Sequence, residues 1–277
     1  MNGYKELAAR YFPVTAFPLR CDSTYAEVLP SAEMRPFIRC FWGSSMPVCE
    51  EACERSQLVI PDTCMDIIIR QDMTTGRTVS AFCAADSEGY YTESPDGGPV
   101  RSVFGIRFYA WTAAMFTDRP FDGSMGIVYD PDDFFAGLRA ELMTILESTE
   151  SLDERAKKAE AVLYGRLDTF RVRADLMNAV YDTVISHGRA RLADLAEKSA
   201  LSGRQLERIF SCHTGISPKT FCSLIRYQML WQDIFFGRGS LLDLTERYGY
   251  SDQAHLLNDF RRRHLMTPSR AFEAARR

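Results

Sequence analysis

The C-terminal third of this chain contains one short pattern twice, and this repeat restricts the fold more than any other feature of the sequence. The first copy spans 192–218 and the second spans 241–268. The offset between matching residues is 49 positions before a central turn and 50 after it. The matching pairs are Leu192 and Leu241, Asp194 and Asp243, Leu195 and Leu244, Glu197 and Glu246, Ser202 and Ser251, Leu206 and Leu256, Phe210 and Phe260, and Pro218 and Pro268. Agreement at so many positions indicates an internal duplication of one small unit.

Each copy has the pattern of two short helices joined by a tight turn. The second helix of the first copy has an apolar face that includes Leu206 and Phe210. A serine, Ser202 or Ser251, stands where the N-cap of that helix is expected. Two short helices joined in this way form a helix-turn-helix. The sequence predicts two such units, at about 190–214 and about 240–264.

A long apolar segment separates the two copies. Residues 217–236 (SPKTFCSLIRYQMLWQDIFF) fit one continuous helix with a proline in its first turn, where proline is tolerated. A helix of about 20 residues is about 30 Å long. This length is close to the roughly 34 Å between successive major grooves on one face of DNA. The segment therefore predicts a rigid spacer that lets two recognition helices enter neighbouring grooves.

The double helix-turn-helix with a long joining helix resembles the DNA-binding domain of the AraC family of transcription regulators. The resemblance covers 174–277 and is most specific in YGYSDQAHL, FRRRHLMTP and LERIFSCHTGISP. Three N-terminal segments, RPFIRCFWGS, LVIPDTCMDIII and FGIRF, are similar to an uncharacterised β-rich sensor domain found ahead of such regulators. The resemblance implies a DNA-binding C-terminal domain that follows a sensor domain.

The resemblance also implies which residues contact DNA. On the first recognition helix the matching exposed residues are Arg204, Gln205, Glu207, Arg208 and Ser211. On the second they are Asp252, Gln253, His255 and Asn258, followed by Arg261 and Arg262, which we expect to contact phosphates. Arginine pairs with guanine edges, glutamine pairs with adenine, and glutamate accepts from cytosine. The alternative is that these residues form an ordinary solvated helix face.

The sequence leaves three basic residues open and predicts a difference between the two helix ends. Lys219, Arg226 and Arg263 fit either phosphate contacts or ion pairs within the protein. Gly215 suits the left-handed residue that follows many helices, whereas the matching position in the second copy is Leu265. We therefore expect the second recognition helix to end differently from the first.

The N-terminal part, residues 1–130, has the pattern of β structure. Short runs of β-branched and aromatic residues recur at 57–61, 65–70, 78–83 and 100–109. In the last run, Phe104, Ile106 and Phe108 alternate with other residues, as in a strand with one buried face. Several short strands of this kind predict a small sandwich or barrel-like domain, which we expect to sense an effector.

Residues 131–172 change to helical spacing and predict a helical connector. Ser151 and Glu154 form a capping box at the start of its second helix, whose apolar stripe extends to Phe170. The connector either covers the β core or contacts a second copy of the chain. The predicted fold class is therefore α+β, with an all-α double helix-turn-helix domain at 173–277.

Charge is divided unevenly along the chain. Residues from Ala174 onward have 15 basic and 11 acidic side chains, whereas the preceding residues have 18 and 26. A basic C-terminal part in an acidic chain fits contact with a polyanion. No apolar run approaches the roughly 18 residues of a membrane span, and the N-terminus lacks the pattern of a signal peptide. We therefore expect a cytoplasmic protein with no membrane partner.

The sequence contains no familiar motif of catalysis or cofactor binding. It has no P-loop, no GxGxxG after a strand and no HExxH. Its N-terminal acids, which include Asp62, Asp66 and Asp86, form no recognisable catalytic pair. Cys49 and Cys53 could share one helix face, but a structural zinc site needs four ligands and no histidine precedes His187. We therefore predict no catalytic residue, no metal and no cofactor, and mostly buried, inert thiols.

Together these features predict a sequence-specific DNA-binding transcription regulator and not an enzyme. The predicted partners are double-stranded promoter or operator DNA and a small-molecule effector of unknown identity. RNA polymerase and a second copy of the chain are further candidates. Trp42, Trp111 and residues 90–93 fit either a core or a ligand pocket. The alternative functions are a thiol- or metal-dependent sensor of alkylation or redox state, a DNA-repair protein that uses N-terminal cysteines, and a protein-interaction module.

Overall fold

A computed structural model describes residues 2–18, 20–22, 25–44, 48–49, 56–72, 75–93 and 100–276. Helix α1 (Asn2–Arg10) comes first, and a series of strands follows it. These strands are β1 (Ala26–Val28), β2 (Ile38–Gly43), β3 (Val48–Cys49), β4 (Ser56–Val59), β5 (Cys64–Asp72), β6 (Thr78–Cys83), β7 (Tyr90–Glu93), β8 (Val100–Tyr109) and β9 (Val128–Tyr129).

Most of these strands form one antiparallel sheet. Its order is β1, β2, β8, β5, β6, β9, with β3 also paired to β8, while β4 and β7 form a separate two-stranded ribbon. Strand β8 is central because it pairs with β2 on one side and β5 on the other. Its residues Phe104, Ile106 and Phe108 are fully buried, as their alternation predicts. The prediction of a β-rich N-terminal part is confirmed.

Helix α2 (Ala110–Ala113) lies between β8 and β9, and helices α3 (Leu138–Glu147) and α4 (Leu152–Arg166) follow β9. The buried stripes of α3 and α4, which include Leu142 and Leu163, pack in the same cluster as the apolar side chains of the sheet. Ser151 caps α4 by accepting the Glu154 N–H at 3.2 Å. The stripes therefore cover the β core.

One predicted member of the α4 stripe is wrong. Phe170 is 96% exposed and not buried. Helix α4 ends at Arg166, and the chain then turns through a short 3₁₀ segment at Thr169–Arg171. Because helical spacing stops at this turn, Phe170 no longer continues the buried face.

The rest of the chain is helical. Its helices are α5 (Ala174–Ile185), α6 (Leu192–Lys198), α7 (Gly203–Thr214), α8 (Pro218–Phe235), α9 (Leu241–Arg247), α10 (Gln253–His264) and α11 (Pro268–Ala274). We call α6 and α7 the first unit and α9 and α10 the second unit; α8 joins them. The predicted α+β class is confirmed. No helix in the described part of the chain is long and apolar enough to cross a membrane.

The N-terminal part and the two units share their hydrophobic cores. One cluster runs from Leu7 and the sheet through α3, α4 and α5 to Phe210 of the first unit. A second cluster joins Val14 and Ile60 to α8 and to Phe260 of the second unit. The N-terminal part therefore packs against both units.

Candidate nucleic-acid interface

Helix α7 begins and ends with specific capping interactions. The Ser202 hydroxyl accepts the Gln205 N–H at 3.3 Å, and the Gln205 side-chain oxygen accepts the Ser202 N–H at 2.8 Å. This capping box satisfies two backbone donors at the start of the helix. At the other end Gly215 adopts a left-handed conformation, with φ of 71°. The limits of α7 thus follow directly from local sequence.

The N-terminal half of α7 presents the predicted DNA-contacting residues to solvent. Arg204, Gln205, Glu207 and Arg208 are exposed, whereas Ser211, one turn further on, is half-buried. Within the described residues, neither Arg204 nor Arg208 forms an ion pair with an acidic side chain. The two residues lie four positions, or about one helical turn, apart, so both side chains are available to an anion at this face.

The C-terminal end of α7 packs against the N-terminal part of the chain. The Phe121 N–H donates to the Cys212 carbonyl oxygen at 2.8 Å. A Cβ atom at position 215 would lie 2.5 Å from the Ser124 hydroxyl oxygen, so glycine is needed there for space as well as for conformation. Only the first half of α7 is therefore open, which is the half that contacts base edges in helix-turn-helix proteins.

Helix α10 begins one residue later than the alignment of Ser251 with Ser202 predicts. Its N-cap is Asp252, whose carboxylate accepts the His255 N–H at 2.7 Å, and not Ser251. Asp252 therefore matches Ser202 at an offset of 50, and Ser251 is the extra residue in the second turn. Bonding to the His255 and other backbone N–H groups lowers the pKa of Asp252. The carboxylate is thus engaged at the helix terminus.

The other predicted residues of the second unit form one exposed face of α10. Gln253, His255, Asn258, Arg261 and Arg262 are all exposed. The His255 ring lies edge-on to Tyr250, with 5.2 Å between ring centroids, and its Nδ1 is 3.2 Å from the Ser251 hydroxyl. Arg262 forms an ion pair with Asp259 at 3.2 Å, whereas Arg261 forms none with the described residues.

The expected difference between the two helix ends is wrong. Leu265 adopts a left-handed conformation with φ of 56°, and its N–H donates to the Arg261 carbonyl at 2.9 Å. Gly215 makes the same bond to Ser211 at the same distance. The second unit therefore closes in the same geometry, and its non-glycine residue adopts an unfavourable backbone conformation to do so.

One of the three basic residues that the sequence left open is internal. Arg263 is 1% exposed, pairs with Asp259, and donates to the Ser223 hydroxyl of α8 at 2.6 Å. Arg226 lies over the Tyr250 ring, with 5.1 Å from its guanidinium carbon to the ring centroid. Lys219 is exposed. Of the three, Lys219 has the exposure that phosphate contact requires.

A buried histidine distinguishes the interior of the second unit. His264 is 1% exposed, its Nδ1 lies 2.8 Å from the Tyr227 hydroxyl, and its ring packs against Trp231 and Phe260. Burial lowers the pKa of His264 to about 3. The matching residue of the first unit is Thr214, which is also buried and donates to the Phe210 carbonyl at 2.7 Å.

Four cysteines that are buried or half-buried do not favour thiol chemistry, whereas Cys21 is exposed. Burial raises the pKa of Cys40, Cys64 and Cys222, and raises that of Cys83 to about 12. A reactive thiol needs the opposite shift. In the described ranges, no three His, Cys, Asp or Glu residues are placed to hold a metal ion. The Cys49 and Cys53 pair lies outside this test, because Cys53 is not among the described residues.

Two protein families match the chain. Residues 195–274 match a family described as a helix-turn-helix domain. Residues 26–142 match a domain of unknown function, DUF6597. No curated protein sequence matches the chain.

Solved structures of ToxT from Vibrio cholerae are similar to the chain. One, at 1.65 Å resolution, has 11% identity and a TM-score of 0.43, and covers 80% of this chain and 95% of that chain. Another, of wild-type ToxT from strain SCE256 bound to an unsaturated fatty acid, has 10% identity and a TM-score of 0.41, and covers 84% and 94%. Such values are too low to transfer a ligand from that protein to this chain.

Proposed function

We propose that the chain is a sequence-specific transcription regulator of the AraC type, controlled by an effector, because residues 195–274 match a helix-turn-helix family and residues 26–142 match the DUF6597 family. The observation that carries this proposal is the pair of matching exposed faces on α7 and α10. Both lie on the second helix of a helix-turn-helix, and both contain side chains that can pair with base edges.

The two faces suggest a division of roles. We assign base contacts to Arg204, Gln205, Glu207, Arg208 and Ser211 of the first unit and to Gln253, His255 and Asn258 of the second. Asp252 caps α10, and we propose that it holds the start of this helix next to the bases that these residues contact. Arg261 and Arg262 follow at the end of α10, and we assign them to phosphates, which supply affinity and not sequence discrimination.

A gel-shift titration with promoter fragments at several salt concentrations tests the proposal. Each phosphate that the protein neutralises contributes about 0.9 to the slope of log affinity against log salt. Four such contacts would reduce affinity about 100-fold between about 50 and 200 mM salt. A flat salt response on every fragment would instead support the protein-interaction alternative.

We further propose that the effector acts through direct contacts between the N-terminal part and α8, as well as through the helical connector. Gln228 of α8 is fully buried. Its side-chain amide donates to the Val14 carbonyl at 3.2 Å and to the Pro61 carbonyl at 2.8 Å, and its oxygen accepts the Val14 N–H at 2.9 Å. Trp231 adds a bond to the Thr15 carbonyl at 3.0 Å. A shift of either N-terminal segment would therefore act on the helix that joins the two units.

Substitution of Gln228 by alanine tests this route. The side chain is enclosed by the N-terminal part and cannot touch DNA, so a purely local role predicts unchanged DNA affinity. We expect instead a changed affinity and a weaker response to effector, because three buried backbone groups lose their partner. Binding and response equal to those of the wild-type chain would contradict the proposal.

A second copy of the chain is a further proposed partner. The outward face of α4 and residues 28–33 border an open groove of about 670 Å³. Its rim includes Leu29 and Tyr164, which are 49% and 61% exposed. Light scattering of the purified protein tests for a dimer, and Tyr164→Glu should dissociate it.

The cytoplasm, where promoter DNA and RNA polymerase are present, is the proposed location.

A further inference from the structure

The duplication extends beyond the two units, into the loop that precedes each of them. We call 187–189, which follows α5, the first loop, and 236–238, which follows α8, the second loop. At an offset of 49 positions, the matching pairs are Gly188 with Gly237 and Arg189 with Arg238. Both glycines adopt a left-handed conformation, with φ of 71° and 66°. Because the loops match in sequence and in backbone, their contacts can be compared directly.

The first loop packs against the backbone of α8. A Cβ atom at Gly188 would overlap the Cys222 carbonyl oxygen and would lie 2.7 Å from the Arg226 backbone nitrogen. Glycine is therefore needed there for space as well as for its left-handed conformation. The loop thus has a fixed position on the first half of the joining helix.

From this position the first loop reaches the turn that precedes α10. Arg189 donates from Nη1 to the Arg247 carbonyl oxygen, at the end of α9, at 3.2 Å. Its Nε would lie 3.1 Å from a Cβ atom at Gly249, so its side chain lies along this residue. The His187 ring lies 6.0 Å from the Tyr248 ring, between centroids. Three consecutive residues of the second unit therefore contact the first loop.

The same turn is tied to α8 and to α10. The Arg226 guanidinium carbon of α8 lies 5.1 Å from the centroid of the Tyr250 ring. The Tyr250 hydroxyl donates to the Asp259 carboxylate of α10 at 2.9 Å. Asp259 also pairs with Arg263, which donates to the Ser223 hydroxyl of α8. A movement of the turn would therefore displace α10.

The second loop has different surroundings. A Cβ atom at Gly237 would meet no described atom within 4 Å outside the adjoining residues. Phe236 is 50% exposed, and the Arg238 side chain is 58% exposed and pairs with Asp233 of α8 at 3.6 Å. Since the two loops match in sequence and backbone, the packing of the first loop is not a general property of such a loop. It is a contact between the two units.

Two DNA half-sites are fixed in rotation as well as in distance. Each additional base pair moves a half-site about 3.4 Å along the duplex and about 35° around it. A protein that rejects this change must resist rotation of one unit against the other. The contact between the first loop and the turn before α10 bridges the units beside α8, so it opposes such a rotation.

We propose that the first loop is a latch between the units that determines which half-site spacing the protein accepts. Arg189 and His187 are its positioning residues, and they act through the turn before α10 and not through contact with a base. With the latch in place, α7 and α10 keep one relative rotation and fit one spacing. Without it, the units adapt to a spacing one base pair shorter or longer. This inference rests on the proposed DNA-binding function, to which it adds spacing selectivity.

The first test measures affinity by gel shift on an operator selected from random DNA, and on versions with one base pair added to or removed from the spacer. The latch variant combines Arg189→Ala with His187→Asn, because asparagine tolerates the left-handed conformation of His187. The control variant makes the same changes in the second loop, Arg238→Ala and Phe236→Asn. We expect the wild-type chain and the control to lose affinity roughly tenfold at the altered spacings. The latch variant should lose roughly two- to threefold, a difference in the range that couples residues in contact.

The ratio of affinities between spacings is the quantity to compare. Removal of a charge from Arg189 can weaken binding at every spacing alike, and such a uniform loss leaves this ratio unchanged. His187 and Arg189 are both exposed, so their substitution leaves the cores of the two units intact.

The second test measures the distance between the units without DNA. Nitroxide labels are attached to a ketone-bearing amino acid at Glu197 of α6 and at its match, Glu246 of α9, so that native cysteines do not react. Both positions are exposed. Pulsed electron spin resonance should give a narrow distance distribution for the wild-type chain and the control, and a broader one for the latch variant.

The results separate this inference from the regulatory function. A spacing preference as sharp in the latch variant as in the wild-type chain would overturn the latch, as would an equal loss of preference in the control. Equal affinity of the wild-type chain at all three spacings would also overturn it. If the wild-type chain binds no DNA, the regulatory function fails, and the distance distributions decide on the latch. Equal widths in all three proteins would then overturn it.

Discussion

The two helix-turn-helix units have the same backbone plan but different chemistry. The exposed half of α7 contains Arg204 and Arg208, whereas the matching half of α10 contains the neutral Gln253 and Asn258. The charges of α10 come later, at Arg261 and Arg262. The interior differs too, since the second unit buries Arg263 and His264 where the first has His213 and Thr214.

This difference indicates that a duplicated unit can keep its geometry while its two copies come to present different side chains, which fits the different DNA contacts that we propose for them. The first unit concentrates charge where it can meet base edges. The second unit places the neutral groups that we assign to bases first and the arginines that we assign to phosphates after them. Each copy is therefore expected to respond differently to salt, pH and substitution, although both have one scaffold.

The largest expected effect comes from the buried histidine of the second unit. The folded-state pKa of His264, about 3, lies below its ordinary value of 6.5, so the unfolded chain binds more protons between these values. Stability is therefore full above pH 6.5 and falls as pH decreases, by up to about 1.4 kcal/mol per unit. His264→Gln should reduce the slope of unfolding free energy against pH, measured by urea titration. Thr214→Val, at the matching position of the first unit, should leave that slope unchanged; equal slopes in all three proteins would refute this account.

The next effect concerns the two left-handed helix ends. Gly215→Ala puts a side chain into an unfavourable conformation and against Ser124, and should destabilise the protein by about 2 kcal/mol. Leu265→Gly relieves the same conformation and should stabilise by about 0.5–1 kcal/mol. Chemical denaturation measures both changes. Opposite signs are the essential result, and a loss in both variants would mean that the Leu265 side chain matters more than its backbone.

Arg208 and Asn258 occupy matching positions, so their alanine variants compare base reading in the two units. Each should relax discrimination at one base pair by about 1–2 kcal/mol, measured on a set of single-base operator changes. Arg208→Ala should also lower the salt slope, because it removes a charge, whereas Asn258→Ala should not. If cognate and scrambled DNA lose affinity equally in both variants, neither residue reads a base.

The smallest expected effect separates two neighbouring arginines of α10. Arg261 has no ion pair within the described residues, whereas Arg262 is paired with Asp259. Arg261→Ala should reduce the salt slope by about 0.9, the value for one phosphate, and weaken all DNA sequences alike. Arg262→Ala should reduce it by less. Gel shifts at graded salt measure both slopes. A larger reduction in Arg262→Ala than in Arg261→Ala would show that the ion pair between Arg262 and Asp259 opens on DNA.

Local patterns in the sequence predict the elements and the exposed faces well. Alternation predicts the buried side of β8, and helical spacing predicts the buried residues of α7. Local sequence does not decide the N-cap of α10, because Ser251 and Asp252 are adjacent and both are good caps. Spacing also fails at Phe170, because nothing in the sequence pattern shows that α4 stops at Arg166.

Contacts between distant segments are the features that sequence patterns do not reveal. The approach of Asp62 and Asp66 to Arg107 depends on the register of β5 against β8, about 40 residues apart in the chain. The bond between Pro61 and Gln228 spans 167 residues. Helical spacing puts Arg263 on the same face of α10 as Leu256 and Phe260, but the sequence does not show that its partners there are Asp259 and, on α8, Ser223. Composition and periodicity contain no information on these pairings.

The most direct test of the account is the spacing of DNA half-sites. An operator selected from random DNA should contain two half-sites about 10 base pairs apart, because α8 joins the two units into one body. An insertion of about 5 base pairs rotates one half-site to the opposite face of the duplex. We predict that this insertion lowers affinity to that of a single half-site. Unchanged affinity after the insertion would contradict simultaneous binding by both units.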